Sequence, residues 1–486
     1  MTPDDQSGMG SRPSTGAGPE SAPLGAGRAG VLERVLRPFA DVRPGEAASA
    51  LLLAGTLFLL LTAYYLLKVV REPLILLSGG AEVKAYAAAG QALLLLPVLK
   101  LHGWVARRVG RLTLIATVLL FVASNLAAFA GLLRTGVPIG LAFYLWVGTF
   151  NYLLVATFWS FATDLYSAEQ GKRLFAVVGV GSSIGALAGA ALASWLLKRL
   201  SPPDLMLLAA GILAFSLIAF AVVDHGARRR AAAGGRRAES ERLTGAGGFQ
   251  ALLQDRYLLL VALLTFLANW VVFSGEYVLD RTLIDFARSA SHGIADPARF
   301  VGQFKATYFW WVNLIGVVGQ LFIVSRVLKH LGLGPALLVL PVVAMLGASG
   351  ILVLPALGLI RVAQTAGKSV EYSLQTTALN ALYLVVSRDA KYKAKAVIDT
   401  FVIRFGEVCA AAAIWLGVHG GLPVRGFAAL NLLLGVVWFW VALRVGALHR
   451  ARSGEESARL PLPSPPRSAT TALVPTGLPL TNLLVK

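Results

Sequence analysis

The sequence feature that most constrains the fold is a series of apolar runs, each about 18 residues or longer, that recur between Ala48 and Ala447. A run of that length crosses a hydrocarbon core of about 30 Å as an α-helix. Backbone in lipid must satisfy its own hydrogen bonds, so only helices or closed barrels span a membrane, and no alternation of period two indicates a barrel. Only 14% of the residues are charged, and 56% are hydrophobic. The chain is therefore predicted to be an all-α polytopic protein embedded in a lipid bilayer.

The apolar runs predict twelve transmembrane helices in two six-helix bundles, an arrangement found in many secondary transporters. The bundles occupy residues 47–223 and 251–447, and a basic cytoplasmic linker, 224–250, separates them. Residues 1–46 and 448–486 are rich in Gly, Pro and Ser, and we expect them to be disordered cytoplasmic tails. The predicted spans are 48–72, 84–103, 112–133, 139–162, 174–198, 204–223, 257–280, 306–327, 333–356, 358–386, 395–418 and 424–447.

The net charge of +19 has a topological explanation. Most lysines and arginines fall in the tails, in predicted cytoplasmic loops or at inner helix ends, which is the positive-inside bias that orients membrane proteins. We therefore predict that both termini are cytoplasmic and that nucleic acid is not a partner. Cys409 is the one cysteine, and the chain has no clustered histidines and no phosphate-binding GxxxxGK[ST] motif. The sequence thus predicts no metal, no cofactor, no enzymatic site and no soluble partner.

Three charges lie inside the first apolar run, in "AYYLLKVVREPLILL" (Ala63 to Leu77). They are Lys68, Arg71 and Glu72. A charge at the bilayer centre costs at least about 2.5–3.5 kcal/mol on insertion scales, so it needs a partner, water or a function. Two interpretations stay open: the side chains reach the outer headgroups, or they line an internal cavity.

The matching place in the second half carries acids instead of bases. In span 7, Asn269, Glu276 and Asp280 fall at i, i+7 and i+11, which forms one stripe of a helix. One half thus offers cations where the other offers carboxylates. This pattern is consistent with a structural ion pair between the halves, or with a gate that opens when a solute competes for the cations.

Further polar residues lie at helical spacing in other spans. Span 10 carries Gln364, Lys368, Glu371 and Gln375 on one stripe, which faces either an internal cavity or a neighbouring helix. We predict a substrate-binding set that comprises Lys68, Arg71, Asn151, Trp159, Gln364, Lys368 and Arg404. We predict a gating or coupling set that comprises Glu72, Glu276, Asp280, Glu371 and Asp399. In span 5 a separate stripe of glycines, Gly181, Gly185 and Gly189, predicts close helix packing rather than a nucleotide-binding loop.

Several stretches resemble known transporter families. The loop "GWVARRVGRLTL" resembles the one that follows the second helix of the major facilitator superfamily: Gly103, Arg108, Gly110 and Arg111 match, and Arg107 replaces an acid. The segments "YYLLKVVREPL", Phe158 to Gly189 and Glu371 to Glu407 are similar to the nucleotide transporter family, the ATP/ADP translocases. Where members of that family carry Pro-Thr-Lys-Glu, this chain has Thr377 to Asn380, and Ala88 stands in place of a lysine.

The resemblance implies a secondary active transporter that moves a nucleotide or another phosphorylated or anionic solute, in the manner of an ATP/ADP antiporter, by alternating access. It would lie in a bacterial inner membrane as a multi-pass protein. Two alternatives stay open. One is a proton-coupled carrier or exporter of an unrelated small solute, which the uncharged Thr377 to Asn380 step favours. The other is a non-transporting membrane scaffold or sensor whose basic linker and tails bind anionic lipid.

Overall fold

The computed structural model describes residues 43, 46–166, 168–232, 248–289, 292–387 and 394–459. Most of the expected disordered tails and of the expected basic linker therefore lies outside the described residues. Residues 448–459 of the expected C-terminal tail and 224–232 of the expected linker are helical, because the helices that precede them continue beyond the predicted spans. Within them, helices account for nearly the whole chain, as the apolar runs predict. The helices of the first half are α1 (Ala47–Ala106), α2 (Arg111–Arg134), α3 (Gly140–Leu165), α4 (Ala168–Leu196) and α5 (Pro202–Ala232).

The second half begins with a short helix, α6 (Gly248–Gln254), and continues with six long ones. Three of the six contain a π-helical turn: Gly319–Ile323 in α8, Glu371–Gln375 in α10 and Ile398–Val402 in α11. The six are α7 (Arg256–Arg288), α8 (Pro297–Val318, continuing as Val324–His330), α9 (Leu333–Val353), α10 (Leu357–Val370, continuing as Thr376–Leu382), α11 (Ile403–His419 after its π-turn) and α12 (Val424–Arg459).

Helix α1 holds two spans rather than one. Its 60 residues would extend about 90 Å as a straight helix, roughly three times the thickness of a hydrocarbon core. Gly80 interrupts it with a φ of 81° and a ψ of 177°, a conformation that only glycine adopts without strain. The chain reverses there and returns through the membrane as the second span. The end of the molecule that contains this reversal is called the Gly80 end below.

The twelve predicted spans are confirmed by the fold. Ten helices of the described residues are long and apolar enough to cross a membrane, and α1 contributes two spans to that set. The remaining span is α10, which runs from Leu357 to Val385 with its π-turn and a short 3₁₀ turn. It is more polar than the other spans because it carries Arg361, Lys368 and Glu371. The largest difference in where a span begins is at span 8, which starts at Pro297 and not near residue 306, and the helix of span 12 continues to Arg459 instead of ending near residue 447.

The glycine stripe in α4 packs directly on the backbone of α1, as its spacing predicts. A Cβ atom added at Gly185 would lie 2.5 Å from the carbonyl oxygen of Phe58, and one added at Gly189 would lie 2.6 Å from that of Thr62. Both distances are shorter than any real contact of a Cβ atom. The hydroxyl of Thr62 also donates to the Gly185 carbonyl oxygen at 3.3 Å. Close backbone approach of this kind is how small residues hold membrane helices together, since hydrophobic burial contributes little between helices in lipid.

The loop after the second span is held by an ion pair at the end of the molecule opposite Gly80. Arg111 donates to the carboxylate of Asp224 at 2.7 Å, and Arg228 donates to the same carboxylate at 2.6 Å. Across the middle of the molecule, α1 packs against α7, α8 and α11, and α4 packs against α8. These contacts place α1 at the centre of the interface between the first six spans and the last six.

Candidate functional site

A network of charged side chains is buried between the two halves near the Gly80 end. Its centre on α1 is Glu72, whose side chain is wholly buried. The Lys84 ammonium, twelve residues further along α1, lies 2.6 Å from Glu72 Oε2, and the Arg71 Nε lies 3.3 Å from Oε1. Lys305 on α8 approaches the same carboxylate at 3.6 Å. Glu72 thus gathers three cations, and one of them comes from the other half of the chain.

Lys84 also binds two carboxylates on α7. Its Nζ lies 2.7 Å from Asp280 Oδ2 and 3.1 Å from Glu276 Oε1. Asp280 in turn forms an ion pair with Lys305. The carboxylates of Glu72, Glu276 and Asp280 offer oxygens within 4.8 Å of one another, a spacing that suits a metal ion. Here the Lys84 ammonium lies among them, so a lysine already supplies the positive charge that a cation would bring.

These six residues are called the Glu72 network: Arg71, Glu72, Lys84, Glu276, Asp280 and Lys305. Three positive charges balance three negative ones, which a buried cluster requires because unpaired charges in a low-dielectric interior are costly. The balance holds only across the interface. The first half contributes two cations and one carboxylate, whereas the second contributes one cation and two carboxylates. The halves therefore attract each other at this end.

Further bonds join the halves nearer to Gly80. The Tyr277 hydroxyl donates to Glu82 at 3.0 Å and accepts from Arg281 at 2.9 Å. Arg288, at the end of α7, donates to the carbonyl oxygen of Leu77 at 2.8 Å. Together with the Glu72 network, these bonds close the Gly80 end of the interface.

A second group of charges, called the central layer, lies deeper in the protein. It comprises Lys68, Lys368, Glu371, Arg404 and Glu407, which lie within about one and a half helical turns of the midpoints of their spans. Lys368 pairs with Glu371 at 2.9 Å, and Arg404 pairs with Glu407 at 2.7 Å. Arg404 also donates to the Tyr152 hydroxyl on α3, which connects the halves at this depth.

Lys68 differs from the other two cations of the central layer. Within the described part of the chain, no carboxylate lies within ion-pair distance of its ammonium, 4.0 Å. Its Nζ instead lies 4.2 Å from the ring centre of Phe309 and 5.0 Å from that of Tyr65. Aromatic faces stabilise a cation without cancelling its charge. Lys68 is therefore a positive charge that is held in place and not neutralised.

A cavity of about 640 Å³ lies between α1, α4, α8 and α10. It begins at Tyr65 and Asn313, which share a hydrogen bond of 3.1 Å, and extends away from the Gly80 end to Gln320 and Asn380. Because Leu61, Tyr65 and Lys68 fall at i, i+4 and i+7 on α1, the ammonium of Lys68 lies just beyond the inner end of this cavity. A volume of this size accommodates a small-molecule ligand.

The structure distributes the predicted site residues over several places. It brings Arg71, Glu72, Glu276 and Asp280 together in the Glu72 network and Lys68, Lys368, Glu371 and Arg404 into the central layer. Gln364 lies beside Gly275 on α7, within the second half. Asn151 is half-buried on α3, one residue before Tyr152. Trp159 packs on Phe158 and Phe175 inside the first half, and Asp399 is exposed near Lys395, apart from both groups.

Two lysines that complete the Glu72 network are absent from the residue sets predicted from the sequence. Lys84 and Lys305 are both buried in the interface, whereas the predicted span bounds put them at the membrane rim. For Lys305 the sequence does contain a signal that the residue lies inside a helix. Asp296 caps α8 with its side chain and Pro297 occupies the first turn, a combination that marks a helix start. A start at Pro297 places Lys305 two turns inside the helix. For Lys84 no local signal exists, because Glu276 and Asp280 lie on α7 and Glu72 lies on the other side of the reversal at Gly80.

Comparison with solved structures identifies the fold. The nucleoside transporter NupG superposes with a TM-score of 0.58 at 10% identity, covering 83% of this chain and 99% of that one. A bacterial homologue of the iron transporter ferroportin in its inward-facing state superposes with a TM-score of 0.58 at 12% identity, covering 82% of this chain and 98% of that one. Identities this low establish the fold alone. The chain is a multi-pass membrane protein with the major-facilitator-like fold that the sequence predicts.

Sequence comparison narrows the likeness to one kind of carrier. The chain is 23% identical over 349 residues to ADP,ATP carrier protein 1 of Chlamydia pneumoniae, an alignment that covers 62% of this chain and 66% of the relative. It is 22% identical over 356 residues to ADP,ATP carrier protein 1 of Chlamydia trachomatis, covering 64% and 65%. The alignments thus span slightly less than two thirds of the relatives' length. No protein-family model matches the chain. The similarity to ADP,ATP carriers that the sequence motifs indicate is confirmed as a weak one.

Proposed function

We propose that this protein is a secondary active transporter that moves a phosphorylated or otherwise anionic solute by alternating access. One observation carries the proposal: the interface is closed by ion pairs at the Gly80 end, while a cavity extends from the centre towards the opposite end. A carrier caught with one gate shut and the other open has this arrangement. The two halves would act as the bundles that rock around the central layer.

The Glu72 network supplies the gate in this mechanism. Its cross-half bonds, Lys84 to Asp280 and Lys305 to Glu72, must break when the Gly80 end opens. Separation leaves one unbalanced positive charge on the first half and one unbalanced negative charge on the second, and water entering the opened space solvates both. The gate is thus a set of charges whose preferred partners change between the two states.

The central layer supplies the solute site. Lys68, Lys368 and Arg404 bring positive charge to the middle of the membrane, where an anion gains most from it because the surroundings are poorly screening. The weak similarity to ADP,ATP carriers supports a nucleotide or a related phosphorylated solute. We further propose that the protein lies in a bacterial inner membrane with both termini cytoplasmic, so that the cavity faces the cytoplasm in this state.

A second candidate is a carrier of an unrelated small solute that is coupled to protons. The observation that favours it is the pairing in the central layer: Lys368 and Arg404 each already hold a carboxylate on their own helix. Glu371 or Glu407 would then take up and release the coupling proton. This candidate predicts transport that depends on a pH gradient and is lost in Glu407→Gln.

Uptake by proteoliposomes tests the proposal. Purified protein is reconstituted, and uptake of labelled ATP, ADP, AMP and orthophosphate is measured with and without the same solute inside. We expect uptake of at least one phosphorylated solute, and we expect the Lys68→Gln variant to lose most of this uptake. Lys100→Gln, which removes an exposed lysine at the opposite end of the second span, is the matched control and retains uptake. Folded protein that moves none of these solutes would refute the proposed substrate class.

A further inference from the structure

The charge inventory of the interface constrains how much negative charge a solute can carry. The Glu72 network and the central layer together hold six cations and five carboxylates. Every cation except Lys68 has a carboxylate within ion-pair distance in the described part of the chain. One net positive charge is therefore available to a ligand in the centre of the protein.

The pairs of the central layer stay formed when the halves move. Lys368 with Glu371, and Arg404 with Glu407, are each three residues apart on one helix. A rigid rotation of the second half carries both partners together, so it does not separate them. The cross-half pairs of the Glu72 network behave differently, but they lie at the gate. Opening either end of the protein thus leaves Lys368 and Arg404 neutralised.

A negative charge next to the central layer opposes highly charged solutes. The side chain of Glu276 is 30% exposed, and it belongs to the Glu72 network, whose Glu72 lies about one helical turn from Lys68 on α1. A solute with several phosphates would place its excess charge beside this carboxylate with no free cation to offset it. Discrimination between ligands commonly uses such a repulsive element together with an attractive one.

We propose that the site selects a solute that carries one phosphate group, and that Lys68 is the residue that determines this specificity. The inference rests on the proposed function and names its substrate class. The three N–H donors of the Lys68 ammonium suit the terminal oxygens of a single phosphate. A phosphomonoester carries about 1.5–2 negative charges at pH 7, and the one net positive charge of the interior offsets the larger part of them. Each further phosphate adds negative charge, and the remaining cations near the site are already paired with carboxylates and do not offset it.

Competition binding to the full-length protein in nanodiscs measures the preference. The probes are adenosine, cyclic AMP, AMP, ADP and ATP, which share a base and differ in charge. We expect AMP and cyclic AMP to bind at least about tenfold more tightly than both adenosine and ATP, because an uncompensated buried charge costs more than the 1.4 kcal/mol that corresponds to a factor of ten. Lys68→Gln should abolish the preference over adenosine.

A gain-of-charge variant separates specificity from simple damage. Glu371→Gln frees Lys368 and should shift the preference by about tenfold towards ADP and ATP. Glu407→Gln, which frees Arg404, provides the same test on another helix if the first variant does not fold. Glu169→Gln, an exposed acid on α4, is the control and leaves the order unchanged. Tighter binding of ATP than of AMP to the unaltered protein would overturn this inference but leave the proposed function intact. Failure of every phosphorylated probe to bind would overturn both the single-phosphate preference and the proposed function.

Discussion

Removal of the Lys84 ammonium is the most informative single perturbation of the gate. Its Nζ lies 2.6, 2.7 and 3.1 Å from Glu72, Asp280 and Glu276, so Lys84→Met leaves three carboxylates with only Lys305 and Arg71. Removing one partner of a buried ion pair typically costs about 3–5 kcal/mol, because the remaining charge is buried without compensation. Opening of the Gly80 end admits water to these carboxylates and relieves that cost. The penalty therefore falls mainly on the closed state.

The size of the penalty predicts a large redistribution of conformations. A change of about 3–5 kcal/mol alters the equilibrium between closed and open Gly80 ends by about two to four powers of ten. A population that is about 99% closed becomes mostly open, since moving from 99:1 to 1:99 takes about 5.5 kcal/mol. Lys84→Arg keeps the charge and should stay mostly closed.

Thiol accessibility measures this redistribution. In a Cys409→Ala background, Ala85→Cys reports on the Gly80 end, because Ala85 is 5% exposed and lies beside Lys84. Thr376→Cys reports on the cavity at the other side. We expect Lys84→Met to increase labelling at position 85 and to decrease it at position 376. Unchanged labelling at both positions, in protein that is still folded, would refute the gate.

Two further predictions concern packing and charge balance. Gly185→Leu should lower the unfolding temperature markedly, because a side chain at this position meets the α1 backbone and overpacking costs about 1–3 kcal/mol. The control is Gly179→Leu, which should have little effect because a Cβ atom there meets nothing within 4 Å. Asp280→Asn should destabilise the protein because it leaves Lys305, whose side chain is fully buried, without its closest partner. The double variant with Lys305→Met should restore much of the lost stability, and equal unfolding temperatures for the single and double variants would contradict this reasoning.

The fold follows from the sequence because lipid imposes a simple rule. Each span must be apolar and about 20 residues long, so hydropathy alone finds most of them. The glycine stripe of α4 was equally readable, since close packing depends on spacing within one helix. The start of span 8 predicted from hydropathy is too late, because the helix begins at the cap formed by Asp296, where the sequence is still polar.

The site was harder to predict because its chemistry depends on contacts between helices. The sequence shows that Glu72, Glu276 and Asp280 are unusual in their spans, but it contains no information on which cation they meet. Lys84 stands at the predicted start of span 2, and only the reversal at Gly80 together with the packing of α1 on α7 places it among three carboxylates. The expected set also mixed residues with separate environments, and Trp159 packs within the first half instead of facing the cavity.

The distance between the halves at each end of the molecule tests the central claim most directly. Spin labels on Ser78→Cys and Asp285→Cys, two exposed positions, report on the Gly80 end, and labels on Glu169→Cys and Ser325→Cys report on the opposite end. Pulsed electron paramagnetic resonance in nanodiscs gives both distances with and without a transported solute. If the ion pairs close one end while the other stays open, solute should lengthen the first distance and shorten the second. Two distances that stay fixed, or that change in the same direction, would contradict alternating access about the central layer.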